Sequence, residues 1–170
     1  MKIILFQPQI PQNTGNIVRT CAATCSGLVL VHPLGFSTKS RWLKRAGLDY
    51  WDGVTVEEID DLEKYLINNP SFFFLSSKSN IPYTEAPYRS DSLLIFGSET
   101  SGLPPQYAMR WPERFYTIPM APQTRCLNLA SSAAIVLYEG LRQLQFRFPE
   151  NSEKKKDKQI LIKTEEVTGT

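Results

Sequence analysis

Short apolar runs alternate along this chain with segments of helical periodicity. The runs are rich in β-branched or aromatic residues and are bounded by turn formers, which predicts strands over residues 3–6, 28–32, 54–56, 72–76, 93–96 and 115–118. The segments between them predict helices over residues 14–26, 40–46 and 57–68, each followed closely by Gly or Pro. This alternation predicts an α/β fold, with a mostly parallel sheet flanked by helices on both faces.

A long final helix is predicted over about residues 127–146. An apolar stripe with spacings of three and four is expected to pack on the core, and it consists of Leu127, Ala130, Ala134, Leu137, Leu141 and Leu144. A second face carries Ser131, Ile135, Tyr138 and Arg142, and its small residues would let a ligand or another subunit approach. Residues 1–148 are therefore predicted to form one domain. The charged residues 149–170 are predicted to be a disordered tail.

Composition narrows the class of protein further. The chain has 170 residues, 42% of them hydrophobic, which is enough for one sizeable core, and its net charge of +2 provides no global basic field. The three cysteines form no CxxC pair, and the amino end lacks a secretory pattern, so we expect a reduced, cytoplasmic protein. Every apolar stretch is shorter than the ~20 residues of a membrane span.

Metal binding is not expected from this sequence. Cys21 and Cys25 are spaced by four on a predicted helix, but the chain has only one histidine and no second ligand pair. We therefore predict that both cysteines are small core residues.

Two unusual loops indicate a small-molecule site. They are Phe-Gly-Ser-Glu-Thr-Ser-Gly-Leu-Pro at 96–104 and Ile-Pro-Met at 118–120. Gly97, Gly102 and Pro104 permit tight turns and close backbone approach, which is how proteins shape a slot for an adenosine-like ligand. The chain has no GxGxxG after its first strand, no GxxxxGK[ST] and no GxSxG. Dinucleotide, ATP and hydrolase sites are therefore disfavoured.

Cations near the amino end indicate a polyanionic partner. Asn16 and Arg19 share one face of a helix predicted to be capped near Asn13 or Thr14, and this position favours a functional role for Arg19 over that of a surface cation. A second group mixes cations with Trp42, Tyr50 and Trp51, as RNA-binding surfaces do, and comprises Lys39, Arg41, Lys44 and Arg45. A solvated basic helix explains this second group equally well.

The motifs together resemble one family. In order they are NTGNIVRTC at 13–21, HPLGF at 32–36, RAGLDYW at 45–51, FGSETSGLP at 96–104, and IPM followed by RCLNLASSAAIVLYE at 125–139. This ordered set resembles the SPOUT superfamily of RNA methyltransferases, in particular its TrmL (YibK-like) branch. The resemblance implies a C-terminal deep trefoil knot and a homodimer with a site shared between subunits. It implies methyl transfer from S-adenosylmethionine, giving S-adenosylhomocysteine, to the 2'-hydroxyl of wobble nucleotide 34 in the tRNA anticodon stem-loop, with leucine isoacceptors as substrates.

The resemblance also assigns site residues by position. The cofactor-binding set is Leu75, Gly97, Glu99, Gly102, Ile118, Met120, Cys126 and Leu127, and the catalytic set is Asn16, Arg19, Arg125, Asn128 and Tyr138. Because a guanidinium stays protonated at physiological pH, we expect Arg19 to fix the target phosphate and stabilise charge on the 2'-oxygen, rather than accept a proton. Asn16 and Asn128 are expected to position neighbouring groups. Cys126 stands where the family usually has a serine.

Two other functions remain open at this stage. The motifs identify the methyl donor better than the acceptor, so an enzyme of the same fold acting on another tRNA position or on rRNA is one alternative. A cofactor- or RNA-binding protein without turnover is the other, because Cys126 is a weaker hydrogen-bond donor than serine.

Overall fold

A computed structural model describes residues 1–38 and 53–148 of the chain. It contains a six-stranded sheet in the order β3-β2-β1-β5-β4-β6, in which every neighbouring pair is parallel. The strands are β1 Lys2–Phe6, β2 Gly27–Val31, β3 Val56–Ile59, β4 Phe72–Leu75, β5 Leu93–Phe96 and β6 Phe115–Tyr116. The described helices are α1 Pro11–Thr24, α2 Leu62–Ile67, α3 Pro105–Arg110 and α4 Leu129–Gln143, with short 3₁₀ turns at Tyr83–Glu85 and Pro112–Arg114. The predicted α/β architecture is confirmed.

Helices cover both faces of the sheet. Side chains of β1 alternate between two apolar clusters: Ile3 and Leu5 pack with α1 and α4, whereas Ile4 packs with α2 and α3. All three side chains are fully buried. This two-sided burial explains why the strands are continuous apolar runs rather than alternating ones.

Helix α1 begins earlier than predicted. Ile10 is its N-cap and Pro11 is its first residue, where the missing proline N–H costs no hydrogen bond. The helix ends at Cys25, which has φ 51° and donates its backbone N–H to the Cys21 carbonyl. Cys21 is buried as predicted, and burial raises the pKa of its thiol to about 12. The prediction that Cys25 is a core residue is wrong, because this left-handed cap leaves it exposed.

The predicted helix over 57–68 is wrong at its amino end. Residues Glu57 to Ile59 belong to β3, which pairs with β2, and α2 begins only at Leu62. Lys2 extends from β1 across Gly27, and its Nζ donates a hydrogen bond to Glu57 Oε1 at 2.5 Å. Contacts with β1 and β2 therefore override the helical pattern at Glu57. Asp61 then caps α2 by accepting a hydrogen bond from the Lys64 N–H at 3.0 Å.

Helix α4 is shorter than predicted at both ends. Asn128 caps it by accepting hydrogen bonds from the N–H groups of Ala130 at 2.8 Å and Ser131 at 3.4 Å. Leu127 precedes the cap and is 42% exposed, so its assignment to the buried stripe is wrong. The buried face consists of Ala133, Val136, Leu137, Gly140 and Leu141. The predicted outer face is confirmed, because Ser131, Ile135, Tyr138 and Arg142 are all exposed.

Several predictions concern residues outside the described parts. They are the helix over 40–46, the basic group of Lys39, Arg41, Lys44 and Arg45, and the tail after residue 148. Among the described residues, no helix combines the length and apolarity that a membrane span requires.

Candidate functional site

A cavity of about 570 Å³ opens at the carboxyl edge of the sheet. Its walls come from the loops that follow β4, β5 and β6, from the residues on either side of the α4 N-terminus, and from Ile10 and Asn13. β1 and β5 are neighbours in the sheet although the chain leaves them in opposite directions, and such a switch point is where open α/β sheets bind ligands. The volume is that of a site for a small molecule.

The loop after β5 is a tight backbone turn. Ser98 and Gly102 exchange two backbone hydrogen bonds, of 3.2 and 2.9 Å. Gly102 has φ 68°, which favours glycine, and a Cβ added at Gly97 would lie 2.3 Å from the Gly102 carbonyl carbon. The two glycines therefore have different functions: Gly102 permits the turn, and Gly97 permits the two sides of the loop to touch.

Glu99 joins this loop to the start of α1. Its carboxylate accepts hydrogen bonds from the backbone N–H groups of Gln9 at 2.8 Å and Ile10 at 3.2 Å, and from Asn13 Nδ2 at 2.9 Å. The negative charge therefore lies at the amino end of α1, where the helix dipole stabilises it. Three donors occupy this carboxylate, so we assign Glu99 a mainly structural part in the cavity wall.

Asn13 extends the same network to α4. Its Oδ1 accepts from Asn128 Nδ2 at 2.9 Å, while Asn128 Oδ1 caps α4. Asn13 is 5% exposed, so these amide groups depend on each other for hydrogen bonds. Sequence reasoning considered Asn13 only as a helix cap. Its place in the NTGNIVRTC motif is the signal that could have identified it.

The cavity brings together all eight residues predicted to bind the cofactor. Leu75, Gly97, Glu99, Gly102, Ile118, Met120, Cys126 and Leu127 line it, and so does Asn128. The other residues of the predicted catalytic set do not line it. Asn16 and Arg19 lie on the exposed side of α1, Tyr138 is 46% exposed on α4, and Arg125 is exposed beside Cys126. Their functional roles stay predictions.

Cys126 connects two walls of the cavity. Its Sγ donates a hydrogen bond to Ser77 Oγ at 3.5 Å, which ties the segment before α4 to the loop after β4. Ser76, Ser77 and Lys78 of that loop line the cavity and were missed by sequence reasoning, because they belong to no glycine-rich pattern. Within the described residues, no group of three His, Cys, Asp or Glu side chains could hold a metal ion.

Comparison with known proteins identifies the class. The model of the SpoU rRNA Methylase family matches residues 1–138, and the chain belongs to this family. A relative from Bacillus subtilis (strain 168) is 45% identical over 152 residues, which cover 86% of this chain and 95% of the relative. The tRNA (cytidine(34)-2'-O)-methyltransferase of Escherichia coli (strain K12) is 38% identical over 149 residues, which cover 86% of this chain and 95% of the enzyme.

Solved structures agree with this class. One is described as giving structural insights into the 2-OH methylation of C/U34 on tRNA; it is 40% identical, has a TM-score of 0.80, and the match covers 86% of this chain and 97% of that one. An AdoMet-bound rRNA methyltransferase from Sinorhizobium meliloti is 26% identical with a TM-score of 0.75, and the match covers 84% of this chain and 56% of that one.

Proposed function

We propose that this chain methylates the ribose 2'-hydroxyl of nucleotide 34, the wobble nucleotide, in tRNA. The observation that carries the proposal is the similarity, over 86% of the chain, to the tRNA (cytidine(34)-2'-O)-methyltransferase of Escherichia coli. The match covers 95% of that enzyme, so it spans a whole relative rather than a fragment. A solved structure concerned with methylation of C/U34 on tRNA, at a TM-score of 0.80, supports the same substrate.

We propose that S-adenosylmethionine is the methyl donor and that the cavity holds it, leaving S-adenosylhomocysteine as product. The donor supplies a methyl group on a sulfonium, which is activated for displacement. Leu75, Ile118, Met120 and Leu127 provide apolar wall for an adenosine group, and the turn at 97–102 provides closely approaching backbone. An AdoMet-bound structure that is 26% identical to this chain supports the assignment.

We further propose that Arg19 acts on the RNA. Its guanidinium would fix the phosphate of the target nucleotide and stabilise negative charge as it develops on the 2'-oxygen. Asn16 and Asn128 would position neighbouring groups by hydrogen bonds, and the proton would leave to water or to a phosphate. Arg125 and Tyr138 would contact the RNA around the site.

A homodimer is part of the proposal. Arg19 and Tyr138 are exposed and do not line the cavity of their own chain, although their helices α1 and α4 pack on the same face of the sheet. A second copy docked on this face would bring such side chains to a neighbouring cavity.

We also propose, from the family resemblance, a deep trefoil knot at the carboxyl end, a domain limited to residues 1–148, leucine tRNAs as substrates and a cytoplasmic location.

The test is to map the methylated nucleotide. Unfractionated tRNA and, in a separate reaction, rRNA are incubated with the protein and labelled donor. The tRNA should gain 2'-O-methylation at nucleotide 34, with leucine isoacceptors labelled first. Methylation at another tRNA position or in rRNA would contradict the assigned substrate and favour the alternative enzyme of the same fold. No incorporation into either RNA, with donor binding retained, would favour a binding protein without turnover.

A further inference from the structure

Among the described residues, two charged side chains of opposite sign line the cavity, and only one of them is held by hydrogen bonds from the protein. Glu99 accepts hydrogen bonds from three N–H donors. Lys78, on the loop after β4, is exposed, and its ammonium makes no hydrogen bond or ion pair with residues 1–38 or 53–148. Lys78 is therefore the charged side chain of this cavity that is open to a ligand.

The backbone that carries Lys78 is held on both sides. The Lys78 N–H donates to Ser76 Oγ at 3.2 Å, and Ser77 Oγ accepts from Cys126 Sγ at 3.5 Å. On the other side, Ser79 Oγ donates to the Phe115 carbonyl at 2.6 Å. The backbone at Lys78 is thus fixed in the cavity wall, while the flexible four-carbon side chain allows the ammonium to turn towards a ligand.

The chemistry of the proposed donor supplies a matching group. An S-adenosyl amino acid consists of an adenosine part, which suits the apolar and backbone wall, and an amino acid part that ends in a carboxylate. Glu99 cannot bind that carboxylate, because both are anions. A lysine ammonium binds a carboxylate through charge-assisted hydrogen bonds.

We propose that Lys78 binds the carboxylate of the methyl donor, so that the cavity selects S-adenosyl amino acids over compounds that carry the adenosine part alone. This inference rests on the proposed function, and it adds the residue that recognises the amino acid end of the donor. Lys78 is a binding residue in this scheme and takes no part in proton transfer.

Calorimetry with two ligands tests the inference. S-adenosylhomocysteine carries the carboxylate, whereas 5'-methylthioadenosine has the same adenosine thioether without the amino acid. In Lys78→Gln, we expect the Kd for S-adenosylhomocysteine to rise roughly tenfold, the loss of one charge-assisted hydrogen bond, with the Kd for 5'-methylthioadenosine unchanged. Lys78→Arg should retain most of the affinity for S-adenosylhomocysteine. Lys64→Gln, which changes an exposed lysine on α2, is the matched control.

Other outcomes overturn the inference. An equal loss of affinity for both ligands in Lys78→Gln would mean that the cavity has changed shape. Unchanged binding of both ligands, with weaker tRNA binding, would assign Lys78 to an RNA phosphate instead. Both results leave the proposed function intact. Failure of the unaltered protein to bind S-adenosylhomocysteine would overturn the proposed function together with this inference.

Discussion

Arg19 and Asn13 lie on the same helix but have different roles in the proposed reaction. Asn13, in the first turn of α1, is buried in the cavity wall and hydrogen-bonded to Glu99 and Asn128. Arg19 lies six residues further on, about 9 Å along the axis, and is exposed. Asn13 is therefore part of the cavity wall, whereas Arg19 lies on the exposed side of the helix, where we propose that it acts on the RNA.

Arg19→Lys separates donor binding from methyl transfer. A lysine keeps the positive charge but loses the planar pair of donors that grips a phosphate, so we expect the methylation rate to fall by about 100-fold. The Kd for S-adenosylhomocysteine should not change, because Arg19 does not line the cavity of its own chain and is assigned to the RNA phosphate rather than to the donor. Arg110→Lys, on the other face of the sheet, is the control and should retain full activity. Undiminished methylation by Arg19→Lys would eliminate a bidentate role.

Lys2 and Glu57 form an ion pair whose contribution depends on pH. The hydrogen bond between them raises the pKa of Lys2 and lowers the pKa of Glu57 from their ordinary values of 10.5 and 4.5. The contribution of Glu57 is present above its unfolded pKa and is lost as pH falls through its lower folded pKa. The contribution of Lys2 is present below its unfolded pKa and is lost as pH rises through its higher folded pKa.

Lys2→Met should therefore destabilise the protein most at neutral pH. Both side chains are more than a third exposed, so we expect a loss of only about 0.5 kcal/mol in the free energy of unfolding. Urea titrations across the pH range should show this difference shrinking below pH 4.5 and above pH 10.5. Lys64→Met provides the baseline for loss of an exposed lysine. A difference that stays constant with pH would contradict an electrostatic origin.

At the scale of elements, the loop between β5 and α3 determines the cavity more than any helix does. The sequence predicts that Gly97 and Gly102 permit tight turns and close backbone approach. The structure shows the turn at Gly102 and the close approach at Gly97. Gly102 has a positive φ, with open space where a Cβ would lie, whereas a Cβ at Gly97 would lie only 2.3 Å from the nearest backbone atom. Substitution at the two positions should therefore have different consequences.

Gly97→Ala should damage the loop far more than Gly102→Ala. The added Cβ at Gly97 meets the Gly102 carbonyl carbon at 2.3 Å and the Leu103 nitrogen at 2.5 Å, and backbone atoms cannot swing aside. We expect a loss of about 3 kcal/mol in the free energy of unfolding, together with loss of donor binding. Gly102→Ala adds only left-handed strain, about 1 kcal/mol. Equal losses in urea denaturation would contradict the distinction.

Secondary structure was predictable where one signal dominated. β1, β2, β4 and β5 are apolar runs bounded by turn residues, and they appear within a residue or two of their predicted ends. The strand predicted over 54–56 and the amino end of the helix predicted over 57–68 were both wrong, because the edge strand β3 spans Val56–Ile59. Pairing with β2 places this strand, and that pairing is not local in sequence.

At the scale of the whole molecule, one face of the sheet carries a surface suited to a second copy. On the outer side of α4, Ile135 is 37% exposed and Tyr138 is 46% exposed, with Ser131 and Arg142 beside them. Small and apolar side chains on a long helix permit close contact between subunits. The opposite face carries the short helices α2 and α3.

Ile135→Glu should convert the proposed dimer to a monomer. A carboxylate placed in the centre of an apolar contact would lose its hydration without gaining a partner. Sedimentation velocity measures the change, and methylation should fall with the dimer if both subunits build the site. Ile67→Glu is the control, because Ile67 is 74% exposed on α2 on the other face of the sheet, and this variant should remain a dimer. Dissociation of both variants would contradict the assigned interface.

Apolar periodicity predicted the α/β class and the layered arrangement, and Gly97 and Gly102 predicted a tight loop, because these signals are local along the chain. The eight cofactor-binding positions followed from the family resemblance, whereas Ser76, Ser77 and Lys78 were found in the cavity wall only after the fold was known. The fold was needed to show that Glu99 accepts hydrogen bonds from Gln9, Ile10 and Asn13. It was also needed to place Lys78, whose ammonium has no partner among the described residues, in the same cavity. Residues 13, 78, 99 and 128 are far apart along the chain. These residues come together in one cavity only because the strand order of the sheet makes the ends of distant strands neighbours at its switch point.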